Sequence, residues 1–438
     1  MTELPLWAIG VIGAGIFFVL MFLRMHVGLS LMIAGFVGIW LSRGLDASLN
    51  TMATTVWRVG NSQYLVVIPL FVLMGIIAGQ GGVTESAFGT FNKFVGHLRG
   101  GLAMATVGTC AAFGAVCGDN IATAATMDKA ALPEMRKYGY KDHFSLGAIA
   151  AGGNLGILIP PSTAFVVFGF ITQTSIAALF IAGILPGIVL TIMFMVQIAM
   201  QCKIDPTLCS VQPKASWVQR LVSLKGIIGI LVVFLFVMGG MLTGLFTPTE
   251  AGAAGSIAVI VVSIFYKRFS LKMVWHSLVE ATRISAMILL LIFGAQFFSH
   301  FLTTSEVAPA MSNALVDAGL SKWLVMLLVI ILYFILGMLM DIWSVMIITL
   351  PIFFPILTDL GFDPLQLGVI AVLCIMIGCI TPPVGVVVFS LAGMHKEVPM
   401  YTIFKGCWAF VATMLIFLIL VVFLPWLSTW LPGLMYAG

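Results

Sequence analysis

Apolar residues run along this chain in blocks rather than in stripes. Windows at about 4–23, 26–42, 61–79, 176–200, 226–244, 251–266, 284–302 and 401–431 are almost wholly apolar. Runs near 20 apolar residues are long enough to cross a bilayer as helices. Two longer windows, 143–172 and 365–394, are apolar but carry a proline pair in the middle, so each reads as a broken span. Two more, 100–138 and 322–358, have a polar break halfway, as expected of re-entrant hairpins that enter and leave on one face. Windows 83–98 and 305–319 mix polar and apolar positions and read as amphipathic connectors. The longest polar stretch, 203–225, is a linker, too short for a soluble domain.

Composition agrees with this reading. The 438 residues are 61% hydrophobic and 8% charged, against roughly 25% charged in a soluble domain. The expectation is an all-α polytopic membrane protein. The start, "MTELPLWAIG", has no basic leader or small-residue cleavage site and reads as part of a first span.

The chain also repeats itself. "GDNIATAATMDKAALPEMRKYGY" (118–140) lines up with "MDIWSVMIITLPIFFPILTDLGF" (340–362). Asp119 meets Asp341, Pro133 meets Pro355, Gly139 meets Gly361, and Pro160–Pro161 meets Pro382–Pro383, each pair 222 apart (341 − 119 and so on). This divides the chain into a first repeat, 1–202, the linker 203–225, and a second repeat, 226–438. Each repeat holds three scaffold spans, a connector, a hairpin and two further spans, one of them broken.

Loop charges give the relative orientation. The stretch between Lys129 and Lys141 carries Lys129, Arg136, Lys137 and Lys141, while its counterpart at 359–364 has no Lys or Arg but holds Asp359 and Asp363. Short cytoplasmic loops are enriched in Lys and Arg, so the repeats are expected to be inverted. That topology puts 17 of the 20 Lys and Arg inside, leaves Arg43, Arg58 and Lys322 outside, and places both termini outside.

Non-helical backbone at membrane depth is tolerated where it is buried in protein or lines a cavity. Each repeat has two such places: a hairpin tip, "VCGDNIA" or "LGMLMDIWS", and a break, "GGNLGILIPPS" or "IGCITPPVG". Unwound backbone offers carbonyl oxygens to a cation and half-helix N-termini to an anion. A packing kink is the plainer alternative. Asp119 and Asp341 are intramembrane carboxylates, readable as cation ligands or as helix N-caps. Asn120, Asn154, Ser162, Thr163 and Thr381 add polar groups at the breaks and are candidates for holding substrate. Glu250 in "FTPTEAG" reads as helix-start stabilisation, and Arg283, three residues after Glu280, as snorkelling or local pairing.

The seven cysteines form no C-x-x-C pair and the six histidines are scattered, so no metal or catalytic constellation is visible and no enzyme is expected. No G-x-x-x-x-G-K-[ST] run is present, which argues against ATP hydrolysis by this chain. No nucleic-acid partner is expected, and the bilayer is the evident one.

The segments "FGAVCGDNIATAATMDKAALPEMRKYGY", "AGGNLGILIPPST", "LFTPTEAGAAG" and "LGMLMDIW…LPIFFPI…LGFDP…GCITPPVGVVVF" resemble the large membrane subunit of TRAP transporters (tripartite ATP-independent periplasmic transporters). The resemblance runs in order over nearly the whole chain. It implies sodium-coupled import of an organic acid (a C4-dicarboxylate, sugar acid or similar carboxylate) across the bacterial inner membrane by an elevator motion. It also implies two partners, a soluble periplasmic binding protein and a small four-helix membrane subunit, here on a separate polypeptide. No cofactor is implied beyond Na+ as coupling ion. Carried over, one sodium site involves Gly118, Asp119, Asn120, Gly153, Gly156 and Pro160, and the other Gly337, Asp341, Gly378, Thr381 and Pro383. The chain departs from the family where Asp119–Asn120 replace small hydroxyl residues and where Asp128 replaces a glycine. A stand-alone sodium- or proton-coupled dicarboxylate or gluconate-type symporter is the alternative reading.

Overall fold

The structure, a computed structural model, describes residues 6–23, 25–305 and 320–436. The described residues form helices and connecting turns, with no strand among them. In chain order the first half contains α1 (Leu6–Phe22), α2 (Val27–Arg43), α3 (Leu45–Gly60), α4 (Val67–Gln80), α5 (Val83–Val95), α6 (Gly101–Cys117), α7 (Asn120–Lys137), α8 (Asp142–Leu158), α9 (Thr163–Thr172) and α10 (Ile176–Ile204). A short α11 (Trp217–Ser223) lies in the linker. The second half contains α12 (Lys225–Leu242), α13 (Pro248–Phe265), α14 (Leu271–Thr304), α15 (Lys322–Leu339), α16 (Ile342–Asp359), α17 (Pro364–Cys379), α18 (Val386–Met394), α19 (Met400–Phe423) and α20 (Trp426–Tyr436). Among the described residues seven helices are long and apolar enough to cross a membrane, or nine counting bent pairs.

Windows 100–138 and 322–358 each form two helices joined at a tip (α6–α7 and α15–α16), and windows 143–172 and 365–394 each form two helices joined at a break (α8–α9 and α17–α18). The first connector is α5, which follows α4 at a 63° bend. The second, expected at 305–319, falls on 306–319, outside the described residues.

Three elements differ from the sequence reading. Residues 45–60, between the spans expected at 26–42 and 61–79, form α3, whose Ser48, Thr55 and Val59 are buried while Trp57 is exposed. The span expected at 284–302 begins instead at Leu271. Lys272, His276, Glu280 and Arg283 recur at three- and four-residue spacing, so one polar face continues the helix where an apolar window stops. The span expected at 401–431 splits into α19 and α20 at Pro425. Proline has no N–H for the carbonyl four residues back. The buried side chain of Gln366 supplies the missing donor, its Nε2 lying 3.0 Å from the carbonyls of both Val421 and Val422.

Helix starts follow the residues that accept from orphan amides. Thr247 and Glu250 form a reciprocal capping box with Pro248 at the first helical position. Ser162, Ser175, Ser270 and Ser321 cap α9, α10, α14 and α15. The interior of the bundle is α8, buried along nearly all its length, together with α17. In the first half α6 packs on α8, and α15 packs on α17 in the same way in the second. The outward faces of α12, α13 and α15 expose large apolar side chains such as Leu235, Ile257 and Leu327. A face of that kind suits lipid.

Candidate functional site

At the first tip α6 ends on Gly118, which has φ of +67°, and a Cβ there would lie 2.6 Å from the carbonyl oxygen of Pro161. Only glycine fits both the left-handed backbone and the approach of the broken helix. The Gly118 carbonyl accepts from the Thr163 amide (3.1 Å) and hydroxyl (2.9 Å), so the tip is tied to the break. Asp119 caps α7, its Oδ1 accepting from the Ala122 amide at 2.7 Å. Asn120 Oδ1 accepts from the Ile121 amide (2.9 Å), and its Nδ2 donates to Asn154 Oδ1 (3.1 Å). Asn154, fully buried, donates Nδ2 to the carbonyl of Met376 at 2.8 Å.

Gly153 and Gly156 let α7 and α8 meet backbone to backbone. A Cβ on Gly153 would lie 2.6 Å from that of Ala124, and one on Gly156 2.7 Å from the carbonyl oxygen of Asp119. Ser162 caps α9, accepting from the Phe165 amide at 3.4 Å and donating to the Ile157 carbonyl. Pro160 lies in the 41° break between α8 and α9, where the Pro160–Pro161 peptide is cis.

The second half repeats part of this arrangement. Asp341 caps α16, accepting from the Ser344 amide (3.0 Å) and hydroxyl (2.6 Å), 222 residues after the Asp119–Ala122 contact. Gly378 is the counterpart of Gly156, and a Cβ on it would lie 2.7 Å from the Gly337 Cα. Thr381 donates to the Ile377 carbonyl (2.6 Å), and its amide reaches the Gly378 carbonyl (3.0 Å). The Gly385 amide ties the break to the tip through the Met338 carbonyl (3.2 Å). The Pro382–Pro383 peptide is also cis. The two breaks differ in access: residues 151–169 are all buried, whereas Pro383 is exposed.

The candidate residues therefore gather into two groups, each a tip against its own break. Cys379, at the end of α17, neighbours Asp341, Asn120 and Asp119, so the groups adjoin. Among the described residues no cluster of three or more His, Cys, Asp or Glu side chains forms a metal site.

Sequence reasoning left three features unseen. Two adjoining cavities of about 330 and 300 Å3 lie along α4, α14 and the first tip, sharing Ile76, Ala122, Ala125 and Glu280. The outer one reaches Gln80, Lys129 and His276, and the inner one reaches Asp119 and Trp343. Glu280 pairs with His276 (3.7 Å) and Gln80 (3.5 Å). Secondly, buried Asp128 meets His395 Nε2 at 2.7 Å, joining the first hairpin to the segment after α18. The oddity of an aspartate at 128 was the one available signal. Thirdly, the Trp343 indole N–H, on a side chain only 6% exposed, has no partner among the described residues.

Two hairpin tips set against two interrupted helices inside an apolar bundle mark a polytopic membrane transport protein. The family model for the DctM component of tripartite ATP-independent periplasmic transporters matches residues 14–427. The chain belongs to that family as a large permease subunit. It is 34% identical over 387 residues to the C4-dicarboxylate TRAP transporter large permease protein DctM of Pseudomonas aeruginosa, covering 88% of this chain and 90% of that one. It is 29% identical over 422 residues to the ectoine/5-hydroxyectoine TRAP transporter large permease protein UehC of Ruegeria pomeroyi, covering 96% and 97%. The crystal structure of the Alcanivorax borkumensis YdaH transporter shares its fold with a TM-score of 0.54 at 16% identity, over 90% of this chain and 89% of that one.

Proposed function

We propose that this subunit carries an organic acid into the bacterial cell across the inner membrane, driven by sodium. The observation that supports it most is the recurrence of one tip-and-break arrangement 222 residues apart, with an Asp cap and a glycine close approach in each. Backbone carbonyls at such breaks are hard oxygen ligands suited to Na+. One ion would sit among Gly118–Asn120 and Gly153–Pro160, the other among Gly337–Asp341 and Gly378–Pro383. Asn120, Asn154, Ser162, Thr163 and Thr381 would then line the route between ions and substrate.

In this reading the repeats are inverted, and both hairpins with their broken helices travel as one elevator body. The bias of Lys and Arg to one side supports periplasmic termini and a cytoplasmic linker at 203–225. A periplasmic binding protein delivers substrate and a small four-helix membrane subunit supports the scaffold. The relatives named for C4-dicarboxylate and for ectoine bracket the substrate classes.

The test is thermal stability of the purified protein in sodium, potassium and choline chlorides at equal ionic strength. A ligand that binds only the folded state adds about 2.7 kcal/mol at a hundredfold excess over its Kd. A saturable rise specific to sodium is expected, and equal melting in all three salts rejects sodium coupling. Uptake that persists without the binding protein would favour a stand-alone symporter.

A further inference from the structure

Far from the tips, α12 and α13 pack side by side and leave between them a groove of about 760 Å3. Its walls are apolar, with exposed Val232, Ile257 and Phe265 among them, and small Ala254 and Ala258 hollow it out. No Asp or Glu lines it. Its polar lining residues, Lys225 and Tyr266, stand together at one end, where α12 begins and α13 stops. The Tyr266 hydroxyl donates to the carbonyls of Lys225 (3.2 Å) and Gly226 (3.1 Å), tying the two helix ends. The Lys225 side chain is exposed and makes no ion pair among the described residues, and the same holds of Lys267 and Arg268, which follow Tyr266 directly.

Length and charge together select the occupant. On α12 the groove runs from Lys225 to Phe236, eleven steps (236 − 225) or about 16 Å. That is about half of a 30 Å hydrocarbon core, the depth of one leaflet. A transmembrane helix of a partner would need a seat of the full depth. Phe236, the last lining residue on α12, instead stacks edge to face on Phe246 at 5.3 Å, and Phe246 is not part of the groove. A slot one leaflet deep with unpaired cations at its mouth matches a phospholipid, acyl chain along the helices and phosphate at the basic end. We propose that the α12–α13 groove binds an anionic phospholipid, its headgroup held by Lys225 with Lys267 and Arg268. In the orientation proposed above, this lipid belongs to the cytoplasmic leaflet.

The experiment uses the large subunit purified with its small subunit in detergent. Dioleoyl phosphatidylglycerol, dioleoyl phosphatidylcholine or inorganic phosphate is added, bound lipid is counted by native mass spectrometry, and melting is followed. Phosphatidylglycerol should bind saturably and raise the melting temperature. Phosphatidylcholine should do so less, and phosphate, which has the charge without the chains, not at all. Lys225→Gln and Lys267→Gln should each weaken phosphatidylglycerol binding about fivefold and leave phosphatidylcholine binding unchanged. Ala258→Phe fills the groove and should remove both. Lys322→Gln, outside the groove, is the control. The lysine variants alter exposed side chains only, so they decide the matter even where Ala258→Phe does not fold. Equal binding of the two lipids, or unchanged phosphatidylglycerol binding in Lys225→Gln, would overturn the proposal. So would loss of the small subunit from Ala258→Phe with lipid binding intact, since a helix of that partner would then be the occupant.

Discussion

Asn154 donates its side-chain amide to the backbone carbonyl of Met376 at 2.8 Å, and the two residues are 222 positions apart, the spacing that relates the two halves of the chain. A residue thus touches the backbone of its own counterpart. The bond lies in the fully buried interior between α8 and α17 and continues through Asn120 to the first tip. Polar groups at that depth hold position only when paired.

Asn154→Leu should be costly for that reason. It strands the Met376 carbonyl and the Asn120 amide, each unpaired group costing about 1–3 kcal/mol. The purified variant should melt well below the parent. An unchanged melting temperature would mean that the amide chain carries no weight.

The glycines at the close approaches should not tolerate a methyl group. Gly156→Ala pushes a Cβ to 2.7 Å from the Asp119 carbonyl oxygen, and Gly378→Ala puts one 2.7 Å from the Gly337 Cα. Overpacking of this kind costs about 1–3 kcal/mol. Gly89→Ala, in α5 with nothing within 4 Å of its Cβ, is the control. It should be neutral or stabilising, since alanine is favoured in a helix by about 1 kcal/mol. Equal melting of all three variants would contradict the packing described.

Capping and ion binding by Asp119 and Asp341 separate under one substitution. Serine caps nearly as well as aspartate, whereas alanine loses about 0.5–2 kcal/mol. Asp119→Ser and Asp341→Ser should therefore melt like the parent in choline chloride. If the carboxylates also hold sodium, both variants lose the sodium-specific rise. Retention of that rise would leave the aspartates as caps alone.

The segment after α18 should impose a pH dependence. Glu397's own backbone amide, then His395 and Arg136, hold its carboxyl below the ordinary range. A lowered carboxylate stabilises the fold above its unfolded value, near 4.5, and the contribution is lost as pH falls through the lowered value. Glu397→Gln should thus melt lower than the parent at neutral pH, with the gap closing in acid. A gap that stays constant with pH would exclude a charge effect.

Much of the architecture was readable because bilayer spans announce themselves as long apolar blocks and their breaks as proline pairs and polar tips. Amphipathic elements were harder. The sixteen residues of α3 and the first thirteen of α14 (271–283) hide their apolar residues in a helical stripe that a window average erases. Pro425 was visible, but Gln366, the residue that compensates it, lies 59 positions away (425 − 366). The tips, their aspartates and the glycines at the breaks were legible. The partners were not. Nothing local says that Asn154 bonds Met376, that His395 meets Asp128, or that the Trp343 N–H is left unpaired, since each depends on tertiary packing.

The two breaks share a cis proline pair and differ in seclusion, the first wholly enclosed and the second exposed at Pro383. The difference is one of time. Amides around the second break can meet solvent after a small local opening, whereas those around the first must wait for helices to part. Hydrogen exchange should therefore reach Thr381 and Gly385 long before Ile159 and Thr163, and the two halves of a near-symmetric machine would keep separate clocks.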